Sequence, residues 1–304
     1  MLNLSALRAV FGERLQENVI LAPFTSARIG GPADALITAR SADELAEAVA
    51  RLWEMDAPTF ILGGGSNVLV SDRGVRGVVI LNRAKAVRFD GGNPPKVWAE
   101  AGAGFSSLAN RAAERGLAGL EWAAAVPGTV GGAVYGNAGA FGGDVAGNLI
   151  VTELLTENGR ERWPVEKMEY GYRTSALKRS TLKFVILAAE LRLNHSTKEA
   201  VRFKIGEFVS KRKSTQPPGA SMGSMFKNPP GDHAGRLIEA AGLKGTRIGN
   251  AEISAVHGNF FVNHGSTKAN DLRALIELAQ KTVEEKFGIK LELEIELIGD
   301  WENT

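Results

Sequence analysis

The sequence predicts an α+β protein with more than one compact unit. Helix and strand patterns alternate through about the first two hundred residues, whereas the remainder is mainly helical and ends in an alternating strand pattern. The 304 residues suffice for two or three domains of about 100–200 residues each. The hydrophobic share, 44%, is ordinary for a globular protein and allows sizeable cores to form.

The first α/β unit is predicted between about residues 20 and 85. A short N-terminal helix precedes an apolar strand near 35–38, and Ser41 to Glu44 fits a capping box that begins a helix. The apolar residues of that helix repeat at helical spacing: Leu45, Ala48, Val49 and Leu52. Strands follow at 59–62, from 68 and at 78–81.

A glycine-rich loop, Gly63-Gly64-Gly65-Ser66-Asn67, separates two of these strands. Successive amides in such a loop can form a nest that binds an anion, and Ser66 and Asn67 add side-chain donors. The spacing matches neither GxxxxGK[ST] nor GxGxxG. From spacing alone, a phosphate-binding loop and a plain glycine-rich hairpin are equally good interpretations.

The second unit is predicted between 86 and 194, with a strand near 97 and a helix capped by Ser106 that stops at Gly116. The segment 126–145, VPGTVGGAVYGNAGAFGGDV, contains too much glycine for a helix. It is either an internal loop packed on a sheet or a backbone surface laid against a large ligand. Two glycine-dense segments in one chain favour the ligand.

The last part of the chain changes character, so we place a domain boundary near 195. A helix containing Val201 and Ile205 runs to the basic residues 211–213, a second stops at Gly242, and a third extends from a cap at Ser266 to Gly288. The stretch 291–297 alternates apolar residues with glutamates as a strand would. The predicted domains are therefore 1–194, with subdomains 20–85 and 86–194, and 195–304.

Composition excludes several kinds of partner and site. Lys and Arg (36) nearly balance Asp and Glu (34), so the net charge of +2 requires neither nucleic acid nor an anionic membrane. Cysteine is absent, and the histidines (His195, His233, His257 and His264) lack metal-ligand spacing, so we expect no metal. The N-terminus does not resemble a signal peptide, and no uninterrupted apolar stretch suits a membrane span. We therefore expect a cytoplasmic protein.

Taken singly, the polar motifs are ambiguous. Tyr172-Arg173 fits a surface pair, the turn from Ser224 to Asn228 fits ordinary turn chemistry, and the glutamates near 294 fit a solvated strand face. No local Ser-His-Asp order occurs, which argues against an ordinary hydrolase.

Taken in order, the motifs resemble one family along almost the whole chain. The matching stretches are TSARIGGPAD, ILGGGSNVLVSD, GLEWAAAVPGTVGGAVYGNAGAFGGD, YGYRTS, GSMFKNP, GRLIEAAGLKGTRIGNAEIS, HGNFFVN and LELEIELIG. The sequence is similar to the bacterial UDP-N-acetylenolpyruvoylglucosamine reductases, also called UDP-N-acetylmuramate dehydrogenases. The resemblance implies an FAD-binding domain of the vanillyl-alcohol-oxidase (PCMH) type, made of two α/β subdomains, and a C-terminal α+β substrate-binding domain.

The resemblance also implies an activity. NADPH would reduce FAD, and the reduced FAD would convert UDP-N-acetylglucosamine enolpyruvate to UDP-N-acetylmuramate, a peptidoglycan precursor. This superfamily often tethers flavin through His or Cys. Because the chain has no cysteine and no histidine before His195, we expect non-covalent FAD. We also expect a monomer, although no pattern in the sequence sets the oligomeric state.

Site residues carry over from the family's motifs. The resemblance makes Arg173 the cation at the substrate carboxylate, Ser224 the proton donor and Glu294 the assisting carboxylate. The expected FAD contacts are Gly63, Gly64, Gly65, Ser66, Asn67, Pro127, Gly128, Thr129, Gly132, Asn137 and Ala138. The expected substrate contacts are Tyr172, Lys227, Asn228, Lys244 and His257.

Longer members of the family carry an insertion with a tyrosine that closes over the substrate. The tyrosines here (135, 170 and 172) all precede the C-terminal domain, so the chain looks like the shorter type.

Two rival interpretations remain open at this point. One is another flavin oxidoreductase of the same fold that uses oxygen and a different alcohol or sugar. The other is a catalytically silent protein that binds flavin or a sugar nucleotide. The joint presence of Arg173, Ser224 and Glu294 argues against the silent protein.

Overall fold

The computed structural model describes residues 2–301. Unit 1 comprises the residues up to Leu36, the segment Gly65–Val79 and the residues from Lys213 onward, and unit 2 comprises Ile37–Gly64 and Ile80–Arg212. This division differs from the boundary predicted near 195, because two N-terminal segments pack with the C-terminal part. The predicted boundary concerns functional domains and stays a prediction.

Both units contain helices and strands, which confirms the predicted α+β class. In residues 2–301 the helices are α1 (Leu4–Phe11), α2 (Ala42–Glu54), α3 (Phe105–Ala113), α4 (Val130–Gly136), α5 (Val145–Asn148), α6 (Ala176–Arg179), α7 (Lys198–Thr215), α8 (Ala234–Ala240) and α9 (Ala269–Phe287). In the same residues the strands are β1 (Gln16–Ile20), β2 (Pro32–Ala39), β3 (Thr59–Leu62), β4 (Val68–Val70), β5 (Val75–Asn82), β6 (Val87–Asp90), β7 (Lys96–Glu100), β8 (Leu117–Ala118), β9 (Gly139–Ala140), β10 (Gly143–Asp144), β11 (Leu149–Thr156), β12 (Gly159–Pro164), β13 (Phe184–Arg192), β14 (Asn194–His195), β15 (Arg247–Ile248), β16 (Ala251–Ile253), β17 (Phe261–Asn263) and β18 (Glu296–Ile298).

Unit 2 is built around a sheet in the order β12-β11-β13-β7-β6, in which each neighbouring pair is antiparallel. Helix α2 packs on β13. It buries the four residues predicted from their spacing, and Ser41 Oγ accepts the Glu44 amide at 3.1 Å. The Glu44 carboxylate accepts the amide of Arg40 at 2.9 Å, one residue before the position that a capping box requires. A further sheet has the strand order β1-β2-β5-β3.

Two predictions for unit 2 are wrong. Helix α3 begins at Phe105 with Gly104 as its N-cap, and Ser106 Oγ instead donates to the Ala124 carbonyl oxygen. The segment 126–145, expected to be free of helix, contains α4 and ends at the first residue of α5. Helix α4 buries three apolar residues, Val130, Ala133 and Val134, and this packing offsets the low helix propensity of its glycines.

Unit 1 contains the sheet β15-β16-β17 and a core beneath helices α8 and α9. Helix α9 ends at Gly288 as predicted, but it begins at Ala269 with Lys268, not Ser266, as its N-cap. Two amides of its first turn are satisfied from far along the chain: Ala269 and Asn270 donate to the Asp72 carboxylate at 2.8 and 3.0 Å. No local pattern reveals a cap that lies so far away in sequence.

The predicted final strand at 291–297 is also wrong in part. Leu293 bridges to Phe226, the chain bends at Glu294 and Ile295, and only Glu296–Ile298 forms a strand, parallel to β4. The stretch changes its pairing partner along its length, which a regular alternation of residue types cannot show.

Asp72→Ala is expected to lower the free energy of unfolding by about 1 kcal/mol, the usual cost of losing a side chain that accepts the first amides of a helix. Helix α9 would lose the acceptor for two amides and the negative charge opposite its dipole. Asp72→Asn keeps an oxygen acceptor and should lose less. Urea unfolding followed by circular dichroism measures both variants. An unchanged midpoint for Asp72→Ala would contradict the assigned cap.

Candidate functional site

The two glycine-dense segments meet within unit 2. A Cβ atom built on Gly64 would lie 2.9 Å from the Cα of Gly128, and one built on Gly63 would lie 2.5 Å from Thr129 Oγ1. Real Cβ atoms are essentially never this close to another heavy atom, so the two loops lie backbone against backbone only because side chains are absent.

Helix α4, which follows the second loop, has a face without side-chain cover. A Cβ on Gly136 would meet no heavy atom within 4 Å, and one on Gly132 would meet only Thr129 Oγ1 at 3.8 Å. These two glycines are therefore not required by packing inside the protein. A bare helix face beside two glycine loops fits a large ligand with a phosphate-bearing part, as FAD is.

Arg83 is a residue at this loop that the sequence patterns missed. Its Nη1 donates to the Gly63 carbonyl oxygen at 2.9 Å and to that of Asn82 at 3.3 Å. Burial lowers the pKa of Arg83, although arginine stays protonated in proteins. The Arg83 side chain therefore fixes the first residue of the first glycine loop. A single arginine after a strand matches no motif, so the sequence patterns could not reveal it.

The remainder of the first loop belongs to unit 1. Gly65 has φ +61°, which favours glycine, and its carbonyl oxygen accepts the amide of Ser26 at 2.9 Å. Asn67 Nδ2 donates to the Glu294 carbonyl oxygen at 3.0 Å, and the Asn67 carbonyl oxygen accepts the amide of Glu296 at 2.9 Å. The loop therefore also supports the chain segment that carries a predicted catalytic carboxylate.

Asn137, a predicted FAD contact, has a side chain already engaged by protein groups. Its Nδ2 donates to Gly171 at 3.0 Å and to Asp144 at 3.3 Å, and its Oδ1 accepts the amide of Ala146. It also ends α4 with φ +47°. Its backbone amide donates to the Ala133 carbonyl oxygen, so Asn137 has no further N–H to donate, and a contact with the cofactor would have to use an oxygen atom. Pro127, Gly132 and Ala138 lie along the same stretch in unit 2, and Ser66 lies in the unit 1 part of the first loop.

Arg173 lies in a tight turn of unit 2 and has φ +55°. Gly171 and Thr174 close the turn through paired backbone hydrogen bonds of 3.1 and 3.3 Å. The Arg173 guanidinium donates to the Gly139 carbonyl oxygen at 2.9 Å and lies 5.3 Å from the ring centre of Tyr172, which is exposed. The positive φ costs free energy, so the surrounding contacts must hold this residue in place.

Two side chains that flank the turn fasten it to the end of α4. The Tyr170 hydroxyl donates to the Val134 carbonyl oxygen at 2.8 Å, and Ser175 Oγ donates to that of Tyr135 at 2.7 Å. Burial, with a smaller contribution from Asp144, raises the pKa of Tyr170, so its hydroxyl keeps the proton it donates. Helix α4 thus orders both the bare glycine face and the Arg173 turn.

Ser224 and Glu294 lie on neighbouring segments of unit 1. The Glu294 amide donates to the Met225 carbonyl oxygen, and the Lys227 amide donates to that of Glu292, each at 2.9 Å. Ser224 and Glu294 are both half-buried. Lys227 forms an ion pair of 3.2 Å with Glu292, which is exposed. Glu292 therefore fits the interpretation of a solvated strand face. Glu294, in contrast, lies beside the segment that contains Ser224, the predicted proton donor.

The other predicted substrate contacts also belong to unit 1. Asn228 Oδ1 accepts the amide of Ala234 at the start of α8, and Lys244 pairs with Glu239 at 3.1 Å. His257 Nδ1 accepts the amide of Asn259 at 3.2 Å, which places the proton of the neutral imidazole on Nε2. Burial lowers the pKa of His257, and the nearby charge of Lys244 lowers it further.

The lowered pKa of His257 predicts how stability depends on pH. In the unfolded chain this histidine titrates near about pH 6.5, whereas the folded protein takes up the proton only at lower pH. The unfolded state then binds more protons, so the free energy of unfolding decreases as the pH falls below about 6.5. His257→Gln should lose part of this decrease. Thermal unfolding between about pH 7.5 and 5.5 measures it, with exposed His233→Gln as the control. Parallel curves for wild type and His257→Gln would refute the effect.

Residues 2–301 contain neither a metal-binding cluster nor a membrane-spanning helix. No group of three or more His, Cys, Asp or Glu side chains in that range is arranged to hold a metal ion. Within the same range, no helix is both long and apolar enough to cross a membrane.

Known proteins match most of the chain. A family model described as "FAD binding domain" matches residues 33–163, and one described as "UDP-N-acetylenolpyruvoylglucosamine reductase, C-terminal domain" matches residues 214–298. The UDP-N-acetylenolpyruvoylglucosamine reductase of Chloroflexus aggregans is 45% identical over 93% of this chain and 97% of its own. The enzyme of the same name from Rubrobacter xylanophilus is 45% identical over 91% and 93%.

A solved structure shows the same fold. The crystal structure of UDP-N-acetylenolpyruvylglucosamine reductase from Thermus caldophilus matches with a TM-score of 0.80 at 37% identity, over 94% of this chain and 99% of that one. The resemblance seen in the sequence is therefore confirmed, as is FAD as the cofactor. The chain belongs to the UDP-N-acetylenolpyruvoylglucosamine reductase family, whose members are FAD-dependent oxidoreductases.

Proposed function

We propose that this protein reduces UDP-N-acetylglucosamine enolpyruvate to UDP-N-acetylmuramate in the cytoplasm, with NADPH as the reductant. The observation that carries the proposal is the pairing in unit 1 that sets the Ser224 segment beside Glu294. A hydroxyl and a carboxylate on adjacent segments suit delivery and resupply of a proton. When bound, FAD supplies a hydride carrier between NADPH and the substrate.

The chain's residues would hold the cofactor mainly through backbone groups. Amides of residues 63–67 and of Gly128 and Thr129 suit the negative pyrophosphate, because glycine lets the backbone approach closely. Arg83 keeps the Gly63 carbonyl oxygen engaged, so that this oxygen does not face an anion. The bare face of α4 at Gly132 and Gly136 suits the remainder of the cofactor.

On the substrate, we assign a separate role to each polar group. Ser224 gives its proton to the carbon that bears the carboxylate, and Glu294 orients or resupplies that proton. The positive charge of Lys227 lowers the free energy needed to form the serine alkoxide. Arg173 neutralises the carboxylate and the charge that develops there. Tyr172, Asn228, Lys244 and His257 contact the remainder of the sugar nucleotide.

The test of this function starts with purified protein. We expect a yellow protein that oxidises NADPH quickly only when the enolpyruvyl substrate is present. Strong oxygen-dependent turnover without that substrate would favour the rival oxidase. A colourless, inactive protein would favour the silent binding protein.

Arg173→Lys is expected to slow substrate reduction about 10- to 100-fold, the range for losing a hydrogen bond to a charged group. Lysine keeps the charge but loses the planar fork that matches a carboxylate. Reduction of the flavin by NADPH should change little. Rapid mixing under anaerobic conditions measures the two half-reactions separately.

The matched control is Arg179→Lys in the same unit. Arg179 donates to the Glu169 carboxylate at 3.1 Å and has no assigned role in the reaction. It should leave both half-reactions unchanged. An equal loss in both half-reactions for Arg173→Lys would count against a role at the substrate carboxylate.

A further inference from the structure

One buried side chain holds the segment that carries Ser224. Asn259 is 3% exposed, and its side-chain amide makes two hydrogen bonds to a single residue of that segment. Oδ1 accepts the amide of Phe226 at 2.9 Å, and Nδ2 donates to the Phe226 carbonyl oxygen at 2.8 Å. The carboxamide thus takes the place that a neighbouring strand's backbone would occupy.

The backbone of Asn259 continues the same attachment. Its carbonyl oxygen accepts the amide of Met225 at 2.8 Å, and the next residue, Phe260, bridges to Ser224 itself. Residues 224–226 are therefore attached along one side to 259–260. Along the other side they are attached to the segment 292–294, which contains Glu294. Met225 and Phe226 are fully buried, so the segment has little freedom to move.

The chemistry of the site selects asparagine. The Phe226 peptide groups need one acceptor and one donor at a fixed separation, and a carboxamide supplies both. Aspartate would present only acceptors, and a carboxylate oxygen would then face the Phe226 carbonyl oxygen. Glutamine is one carbon longer and does not fit the same closed pair of bonds. Independently of its side chain, the backbone N–H of Asn259 donates to Nδ1 of His257, a predicted substrate contact.

We infer that Asn259 is a positioning residue that sets Ser224 for proton transfer to the substrate. The inference rests on the proposed function and on the role of Ser224 in it. Proton transfer is sensitive to the distance between donor and acceptor, and a shift of about 1 Å can cost roughly 100-fold in rate. Asn259 acts through its hydrogen bonds to the Phe226 backbone, and we assign it no contact with Ser224 Oγ or with a reacting atom.

The test uses the full-length protein with bound FAD and the variants Asn259→Asp and Asn259→Ser. Reoxidation of the reduced flavin by the enolpyruvyl substrate should slow about 10- to 100-fold. Reduction of the flavin by NADPH should be nearly unchanged. For Asn259→Asp the reoxidation rate, relative to wild type at each pH, should recover as the pH falls, because a protonated carboxyl donates to the Phe226 carbonyl oxygen again.

A double variant separates positioning from general support of the fold. If Asn259 acts through Ser224, adding Asn259→Asp to Ser224→Ala should slow reoxidation no further than Ser224→Ala alone. Asn148→Asp in unit 2 is the matched control. Asn148 accepts from Trp122 Nε1 at 3.1 Å and donates to the Arg192 carbonyl oxygen at 3.0 Å, so it too uses both ends of its amide. It should leave the ratio of the two half-reactions at the wild-type value.

Several outcomes would overturn the inference while leaving the proposed function intact. The first is equal slowing of both half-reactions by the Asn259 variants. The second is a double variant that is reoxidised more slowly than Ser224→Ala alone. The third is loss of folding in both single variants, which would make Asn259 a structural residue. A failure of the proposed function looks different, because wild-type protein would then not be reoxidised by the enolpyruvyl substrate. A normal reoxidation rate in Ser224→Ala would remove the role on which the inference rests.

Discussion

Ser224→Ala should leave reduction of the flavin by NADPH nearly intact and slow its reoxidation by the enolpyruvyl substrate by about 100-fold or more. Hydride arriving at the double bond leaves negative charge on the carbon that bears the carboxylate, and this carbon must take a proton. General acid catalysis contributes about 10²–10⁴-fold, and the first half-reaction uses none of it. The expected loss is therefore confined to one half-reaction.

The surroundings of Ser224 support this expectation. A serine hydroxyl is a poor acid in water, so neighbouring groups must stabilise its alkoxide. Lys227 lies three residues after Ser224, and its ion-pair partner Glu292 is exposed. The Glu294 amide donates to the carbonyl oxygen of Met225, the residue after Ser224. A half-buried site screens such charges less than bulk water does.

The measurement is anaerobic rapid mixing with each half-reaction followed by flavin absorbance. Ser180→Ala is the matched control, because Ser180 is half-buried and donates to the Leu177 carbonyl oxygen at 3.0 Å without an assigned role in the reaction. If Ser224 were only a turn residue, its loss would cost about 1 kcal/mol, the value of one net hydrogen bond. A small and equal slowing of both half-reactions would establish that simpler role.

The parts of the fold that could be predicted from sequence depend on local patterns. The buried face of α2 and the stop of α9 at Gly288 follow from periodicity and from a left-handed glycine. The cap of α9 could not be predicted, because Asp72 is 197 residues away from Ala269 along the chain. Helix α4 could not be predicted either, since its glycines oppose helix and only tertiary packing stabilises it.

The same limit applies to the candidate site. Gly63 and Gly128 belong to loops whose composition reveals them, and family resemblance identifies Arg173, Ser224 and Glu294. Asn259 and Arg83 act through backbone groups of residues that are distant in sequence. Such contacts leave no local motif, so positioning residues are the ones that sequence patterns reveal least.

Gly64→Val is expected to give a folded protein that has lost its flavin. At Gly64 even a bare Cβ atom would lie 2.9 Å from the Cα of Gly128, and the γ-methyl groups of valine add further bulk. The three atoms nearest to that Cβ are all backbone atoms of Gly128, so none can rotate away, and the two glycine loops must separate. The core of unit 2 around the sheet that contains β13 does not involve this contact, and circular dichroism should therefore keep its wild-type shape.

The control is Gly206→Val in the same unit. Gly206 lies at an exposed position of α7, and a Cβ there would meet no heavy atom within 4 Å. It should bind flavin as wild type does, measured by the ratio of flavin to protein absorbance after purification. If Gly64→Val proves unfolded, Gly64→Ala presents the same 2.9 Å approach with the smallest possible side chain. Full flavin content in a folded Gly64 variant would show that the close approach of the loops is not what holds FAD, because a separated pair of loops could then still bind it.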